Sequence, residues 1–294
     1  SYASPVQRTY YYAYLFFCGV VFFFLVAPLI AIVPLSFSVS PFMVFTDGML
    51  SWPPDPDAWS LRWYQNMIGN CSADLVSSTV ACSHKWMTGT VNSFFIGLTA
   101  TFIATTLGTI AALGLSRPHM PYKGLIMAIL ISPMIVPLII TAAGMFFFYA
   151  RINLVYTFTG VILAHVALAT PFVVITVTAT LVGFDMNMVK ASQSLGARPV
   201  RTFFKVIMPL ILPGIISGAL FAFITSFDEV VIVMFMASLD QLTIPKQMWA
   251  GIRQEISPVI LCMATCLVAL SIFLLTTVEL LRRRSERLRG IKSR

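Results

Sequence analysis

Two adjacent carboxylates, Asp228 and Glu229, interrupt a long apolar stretch of this 294-residue sequence. A charge within a membrane is costly, so it normally faces a cavity or a partner group. Adjacent helical residues point about 100° apart, so one carboxylate can face a polar pathway while the other pairs elsewhere. One interpretation is that Asp228, the better candidate, attracts a cation, with hydrogen bonds from Ser226 and Thr225. The alternative is an ion pair or hydrogen bond that fixes packing between subunits.

A second candidate site is the basic segment 183–213, in which Gly and Pro recur. Asp185 is predicted to cap a short helix that ends near Ser194. Gly196 comes soon after that helix and can adopt the left-handed conformation that ends helices. The spacing therefore predicts a helix and then a tight turn.

Three prolines in the same segment indicate the structure on the C-terminal side of the turn. Pro199 suits the first turn of a second short helix that contains Phe203 and Phe204. Pro209 and Pro213 are predicted to break the chain before the next apolar segment. A basic helix–turn–helix with exposed apolar residues is suited to docking in a groove of a soluble partner.

The composition indicates that membrane helices position these residues. The sequence is 58% hydrophobic and 10% charged, with a mean hydropathy of +0.89, whereas soluble domains carry about 25% charged residues. Six apolar stretches approach or exceed the roughly 20 residues that a spanning helix needs, and none alternates as a barrel strand would. They cover residues 11–35, 90–115, 125–149, 160–182, 214–237 and 258–281.

The distribution of basic residues predicts the orientation of the chain. With both termini inside, 14 of the 19 Lys and Arg residues lie in inside segments, as the positive-inside rule requires. This orientation gives a cytoplasmic segment at 1–10, a transmembrane domain at 11–281 and a basic cytoplasmic tail at 282–294. It also places the loop 36–89 outside and the segment 183–213 in the cytoplasm.

The cysteines and histidines offer one candidate crosslink and no metal site. Cys71 and Cys82 lie in the predicted outside loop, in a compartment that permits disulfides, so a bond between them is possible. The histidines are scattered, and no group of Cys and His has the spacing of zinc ligands. We therefore expect no metal site in this chain.

The segment 183–213 resembles the EAA loop of ABC importer permeases that depend on a binding protein. The pattern comprises Lys190-Ala191-Ser192, Gln193-Ser194-Leu195, Gly196-Ala197, Ile207-Met208-Pro209 and Leu212-Pro213. Within that family the chain is most similar to spermidine/putrescine permeases of the second-subunit kind. Further matching segments are Trp63-Tyr64, Pro171–Val177, Gly183-Phe184-Asp185 and Ser226–Val231.

The resemblance implies an all-α bundle of six spans, the fold of type I ABC importer permeases. It implies an inner-membrane location and three kinds of partner: a second permease, a cytoplasmic ATPase dimer and a periplasmic binding protein. ATP and Mg would bind to the ATPase, so this chain would hold no cofactor and would not itself be an enzyme. The solute would be a polyamine; an opine-like solute and ferric iron are the alternatives.

The resemblance also implies that segment 183–213 couples ATP hydrolysis to transport. The implied coupling residues are Asp185, Lys190, Ala191, Ser192, Leu195, Gly196, Ala197, Phe203, Phe204, Pro209 and Pro213. Two of them depart from the family pattern, because Lys190 replaces the usual glutamate and Ser192 replaces the second alanine.

A stand-alone secondary transporter or channel is the alternative from another class, since it would need no ATPase. The chain has no Walker-type phosphate-binding loop and no Gly-x-Ser-x-Gly or His-Glu-x-x-His motif. We therefore expect that the chain does not itself bind or hydrolyse ATP, and membrane enzyme chemistry has little support in the sequence.

Overall fold

The computed structural model describes residues 5–53, 55–69, 84–117, 119–182, 185, 187–254 and 256–288, in two structural units. One unit contains 1–84 and 250–294, and the other contains 85–249. Within the described residues the regular structure is helical, and the one β-bridge is an isolated pair between Ser38 and Trp59.

The first unit contains the two terminal membrane helices and the predicted outside loop as far as residue 84. Helix α1 is Pro5–Leu35, and α2 (Asp47–Leu50) and α3 (Arg62–Ile68) are short helices of the loop. The last helix, which we number α13, is Val259–Leu288 and packs against α1 and α3. Trp63 of α3 is only 1% exposed, and its indole Nε1 donates a hydrogen bond of 2.9 Å to Ser38 O. The described residues of the loop therefore pack around a buried tryptophan.

The second unit contains the other membrane helices. Its helices are α4 (Lys85–Leu115), α5 (Lys123–Ile135), α6 (Leu138–Arg151), α7 (Phe158–Val182), α8 (Asn187–Ser194), α9 (Pro199–Thr202), α10 (Met208–Phe227), α11 (Val231–Met236) and α12 (Ile244–Gln254), which continues into the first unit. Helices α4, α7 and α10 pack against one another. Small and β-branched residues such as Ala100, Ala104, Val173, Val177 and Ala222 fill the space between them. The alanines let the helix backbones approach closely, as small residues do in membrane proteins generally.

In the part of the chain that the structure describes, five helical segments are long and apolar enough to cross a membrane, namely Val6–Leu35, Lys85–Leu115, Phe158–Val182, Pro199–Phe227 and Val259–Thr276. A sixth arises if α5 and α6, which bend by 104° at a short break, form one broken span. The prediction of six apolar spans in an all-α membrane protein agrees with this count.

The predicted span at 125–149 is broken rather than continuous. Pro137 lies at the break, and Val136 before it is extended, with ψ of 136°. A proline ring clashes with a helical conformation of the preceding residue, which explains why α5 ends there.

The fifth predicted span, 214–237, has different bounds in the structure. A helical run begins at Pro199, passes through a π-helical turn at Phe203–Ile207, and ends at Phe227. The prediction that Pro209 and Pro213 break the chain is therefore wrong. Met208 N bonds to Phe203 O, five residues back, so the wider π turn lies directly before Pro209. Proline lacks an amide proton and clashes with the carbonyl four residues back, and a widened turn accommodates both defects.

Candidate functional site

The beginning of α8 is fixed by Asp185, as the sequence predicts. Asp185 Oδ1 accepts a hydrogen bond of 2.9 Å from Asn187 N, and Asp185 O accepts one of 3.2 Å from Met188 N. A helix leaves its first amide protons without internal partners, and a capping carboxylate satisfies one of them.

The end of α8 is a Schellman motif centred on Gly196. Ala197 N donates to Ser192 O at 3.1 Å, and Gly196 N donates to Gln193 O at 2.9 Å. Gly196 has a φ of +78°, the left-handed conformation that this motif requires. A Cβ atom built on Gly196 would meet nothing within 4 Å. The turn therefore requires glycine for its backbone angle and not for lack of space.

A pair of hydroxyl groups joins the two arms of the helix–turn–helix. Ser192 Oγ of α8 lies 3.0 Å from Thr202 Oγ1 of α9, within hydrogen-bonding distance, and Thr202 is buried. Ser192 is one of the two departures from the family pattern, and an alanine there could not form this bond. The sequence pattern around Ser192 does not indicate Thr202 as its partner.

The turn exposes apolar side chains. Leu195 is 88% exposed, and Val200 and Phe204 are also exposed. Phe203 is half-buried, and its ring contacts that of Phe204 with centroids 5.0 Å apart. Exposed apolar groups on a small rigid element are typical of a surface that docks a partner. The other predicted coupling residues Lys190, Ala191, Pro209 and Pro213 are exposed, and Ala197 is half-buried.

The two carboxylates lie at a break between α10 and α11. Asp228 terminates α10, since its N–H bonds to Ile224 O at 3.0 Å, and its side chain is exposed. Glu229 is buried, at 7% exposed, and its Oε1 accepts a hydrogen bond of 2.9 Å from Ile232 N at the beginning of α11. The two neighbours thus differ in environment: one side chain is accessible and the other caps a helix.

Ser226 and Thr225 precede this break. Ser226 is buried, and its Oγ lies 2.8 Å from Nδ1 of His165 on α7, whereas Thr225 is half-buried. The histidine–serine contact joins α7 to the last turn of α10. Ser226 is therefore engaged in helix packing.

The helix–turn–helix and the carboxylate break lie at opposite ends of one helical run. Pro199–Phe227 comprises 29 residues, which corresponds to about 40 Å at the rise of an α-helix. A displacement of the turn at Gly196 can therefore reach Asp228 through a single element.

Polar residues of α4, which are not among the predicted site residues, hold the segment after α11. Asn92 Nδ2 of α4 donates to Asp240 O at 2.8 Å and to Leu242 O at 2.9 Å, and Ser93 Oγ accepts from Ile244 N at 2.8 Å. Adjacent polar residues in an apolar span were the available indication. The sequence does not indicate that the partners of these two residues lie about 150 positions further along the chain.

Lys246 stabilises the same segment from α12. Its Nζ donates to Ala237 O at 3.1 Å and to Val233 O at 3.3 Å, both carbonyls at the end of α11. A cation near a helix C-terminus interacts favourably with the helix dipole. Burial lowers the pKa of Lys246 below its usual range.

The predicted disulfide cannot be compared with the structure, because Cys71 and Cys82 lie outside the described residues. Cys18, Cys262 and Cys266 are free thiols. Among the described residues, no group of three His, Cys, Asp or Glu side chains could hold a metal ion.

Comparison with known proteins gives one family and a consistent set of relatives. Residues 86–287 match the family described as "Binding-protein-dependent transport system inner membrane component". The chain is 28% identical over 269 residues to the spermidine/putrescine transport system permease protein PotC of Haemophilus influenzae, covering 92% of this chain and 96% of that protein. It is also 28% identical to the putrescine transport system permease protein PotI of Escherichia coli, covering 89% and 86%.

A solved structure supports the fold. One chain of a bacterial ABC transporter that imports the acidic polysaccharide alginate matches with a TM-score of 0.70 and 15% identity, over 97% of this chain and 99% of that chain. At this identity the match concerns the fold alone. The family match covers more than half of the sequence, so the chain belongs to the binding-protein-dependent transport system inner membrane components and is a permease subunit of an ABC importer.

Proposed function

We propose that this permease subunit moves a polyamine such as spermidine or putrescine across the inner membrane, driven by a separate cytoplasmic ATPase. A second permease completes the pathway, and a periplasmic binding protein delivers the solute. The observation that carries this proposal is the single helical run that connects the exposed turn at Gly196 with the accessible carboxylate of Asp228.

The coupling step depends on the rigidity of the turn. The Asp185 cap, the Schellman motif and the Ser192–Thr202 contact hold α8 and α9 as one element. An ATPase that binds the exposed Leu195 would move this element when the ATPase dimer closes on ATP. The attached helix would then favour one of two states of the bundle, which is how a ligand biases a two-state equilibrium.

The polyamine assignment rests on charge and on the two relatives. PotC and PotI are named for spermidine/putrescine and putrescine transport, and polyamines are cations at neutral pH. Asp228 presents an accessible carboxylate at a helix break. Because the Asp228 side chain is exposed, an ammonium about 4 Å away would be attracted by about 1 kcal/mol at the dielectric constant of water.

The substrate is tested on the binding protein, because that subunit selects the solute. Purified cognate binding protein is titrated by calorimetry with spermidine, putrescine, an opine-like solute and ferric iron. We expect tight binding of a polyamine and no heat from the other two. Binding of an opine or of iron alone would contradict the substrate assignment.

Coupling is tested with proteoliposomes. The complete complex should accumulate labelled polyamine only when ATP and binding protein are both present. Uptake by this chain alone, without ATPase, would contradict the proposal and favour a stand-alone transporter.

A further inference from the structure

The exposed face of α8 carries a positive charge that is not engaged by the cap, the Schellman motif or the hydroxyl pair. Ser192 faces α9, as its contact with Thr202 shows. Lys190 precedes it by two positions, which places it about 160° around the helix. Lys190 therefore points away from α9, and its side chain is exposed.

Positive charge dominates the whole helix–turn–helix. The segment 183–213 contains four basic residues and one acidic residue, Asp185, whose carboxylate is already engaged as a helix cap. All four bases are exposed: Lys190, Arg198, Arg201 and Lys205. The exposed apolar residue Leu195 lies between Lys190 and Arg198 in the chain, at the tip of the turn.

We propose that the ATPase presents to this turn an apolar pocket for Leu195 with an acidic rim whose carboxylates face Lys190 and Arg198. This inference rests on the proposed coupling function and adds the chemistry of the partner surface. Opposite charges at the rim of an interface accelerate association and exclude wrong partners. The apolar contact at the centre supplies the affinity.

An anionic lipid surface is the competing partner for a basic segment. Arg201 and Lys205 belong to the helical run that leads into the apolar span, so lipid headgroups suit them. Lys190 is separated from that run by the turn at Gly196, and Leu195 is exposed beside it. A pocket in a protein suits this pairing of an apolar tip with a flanking charge better than a headgroup layer does.

The test measures ATPase binding to the permease pair in nanodiscs of pure phosphatidylcholine, which carry no net lipid charge. Association rates are compared for the native chain, Lys190→Glu and Lys190→Arg. We expect Lys190→Glu to slow association by about tenfold at about 50 mM salt and Lys190→Arg to retain the native rate. At about 500 mM salt the difference should fall below about threefold, because salt screens exposed charges.

Two further variants distinguish a failure of the acidic-rim proposal from a failure of the docking function on which it rests. Lys123→Glu makes the same charge change at an exposed residue on another predicted cytoplasmic loop and should slow association by less than about twofold. Leu195→Asp removes the apolar tip of the turn. Because Leu195 is exposed, the fold should tolerate the substitution, but the ATPase should no longer bind.

The outcomes are distinguishable. If Lys190→Glu behaves like Lys123→Glu while Leu195→Asp abolishes binding, the acidic rim is wrong and the docking function stands. If Leu195→Asp binds normally, the docking function itself is wrong. The remaining outcome is that the ATPase binds only after phosphatidylglycerol is added to the nanodiscs, or that the Lys190→Glu effect appears only then. Either result would show that lipid is the partner of Lys190 and that the acidic rim is wrong.

Discussion

Gly214 and Gly218 of α10 lie against α7, whereas Gly196 in the exposed turn has open space where a side chain would begin. A Cβ atom on Gly218 would lie 2.5 Å from Thr176 Oγ1 and 3.0 Å from Val173 Cα. Because Val173 Cα is a backbone atom, the two helices would have to separate. The bundle uses glycine to bring helices together, and the turn uses it to adopt a left-handed angle.

This difference separates the residues that maintain the bundle from those available to a partner. In the bundle, function depends on close packing, so a substitution there should impair transport by lowering the stability of the folded protein. In the turn, a substitution should leave the bundle folded and act on transport. Four substitutions, ordered from the largest expected effect to the smallest, can test that separation.

Adding a single methyl group between α7 and α10 should destabilise the protein. We expect Gly218→Ala to lower the free energy of unfolding by about 2 kcal/mol, as overpacking of a tight interface does. Thermal unfolding in detergent measures this change. Gly114→Ala on α4 is the matched control, since its Cβ would meet nothing within 4 Å. Equal stability of the two variants would contradict the close-packing account.

Gly196→Asp should reduce uptake at least tenfold, about 1.4 kcal/mol, while the protein remains folded in the membrane and the complex continues to hydrolyse ATP. Aspartate, like asparagine, can adopt the φ of +78°, so the expected effect comes from the carboxylate that the substitution adds to the docking surface. The ratio of solute moved to ATP hydrolysed in proteoliposomes measures the loss. Gly196→Asn is the control, because asparagine tolerates this angle and adds no charge, so it should retain most uptake. Normal transport by Gly196→Asp would remove the turn from coupling.

Asp228→Asn should weaken uptake of a cationic solute by about fivefold, since one charge attraction worth about 1 kcal/mol is lost. Initial uptake rates over a range of solute concentrations measure the effect. Glu229→Gln is the neighbouring control, because its amide oxygen can still accept the hydrogen bond from Ile232 N. If Asp228→Asn transports normally, Asp228 does not lie in the pathway.

Ser192→Ala should have the smallest effect. It removes the hydroxyl contact with Thr202, worth about 0.5 kcal/mol, and should loosen the pairing of α8 with α9 without unfolding either. Hydrogen exchange of the amides in 187–202 should increase by about twofold. Ser194→Ala, at an exposed position on the same helix, should leave exchange unchanged. Identical exchange in the two variants would show that the hydroxyl pair does not hold the element together.

The sequence was informative where structure is local. The cap by Asp185 and the left-handed angle at Gly196 depend on residues within five positions of each other, so the chain encodes them directly. The number of apolar segments likewise reflects local composition.

Local sequence does not determine the structure where a neighbouring turn or a distant helix contributes. Pro209 does not break the chain, because the π turn before it removes the clash. The contact of His165 with Ser226 joins positions 61 apart, and periodicity within one helix does not specify such a pairing. Asp228 lies at the end of the helical run Pro199–Phe227 rather than inside a continuous helix over 214–237, and apolar composition alone does not indicate this break.

The central claim is that the turn at Gly196 contacts the ATPase in the cytoplasm, and site-specific photo-crosslinking tests it directly. A photoreactive amino acid placed at Leu195 is irradiated in inside-out vesicles that contain the complete complex. We predict a crosslink to the ATPase whose yield changes when ATP is added. A residue-195 probe that is accessible only from the periplasmic side, or that never crosslinks to the ATPase, would contradict the account.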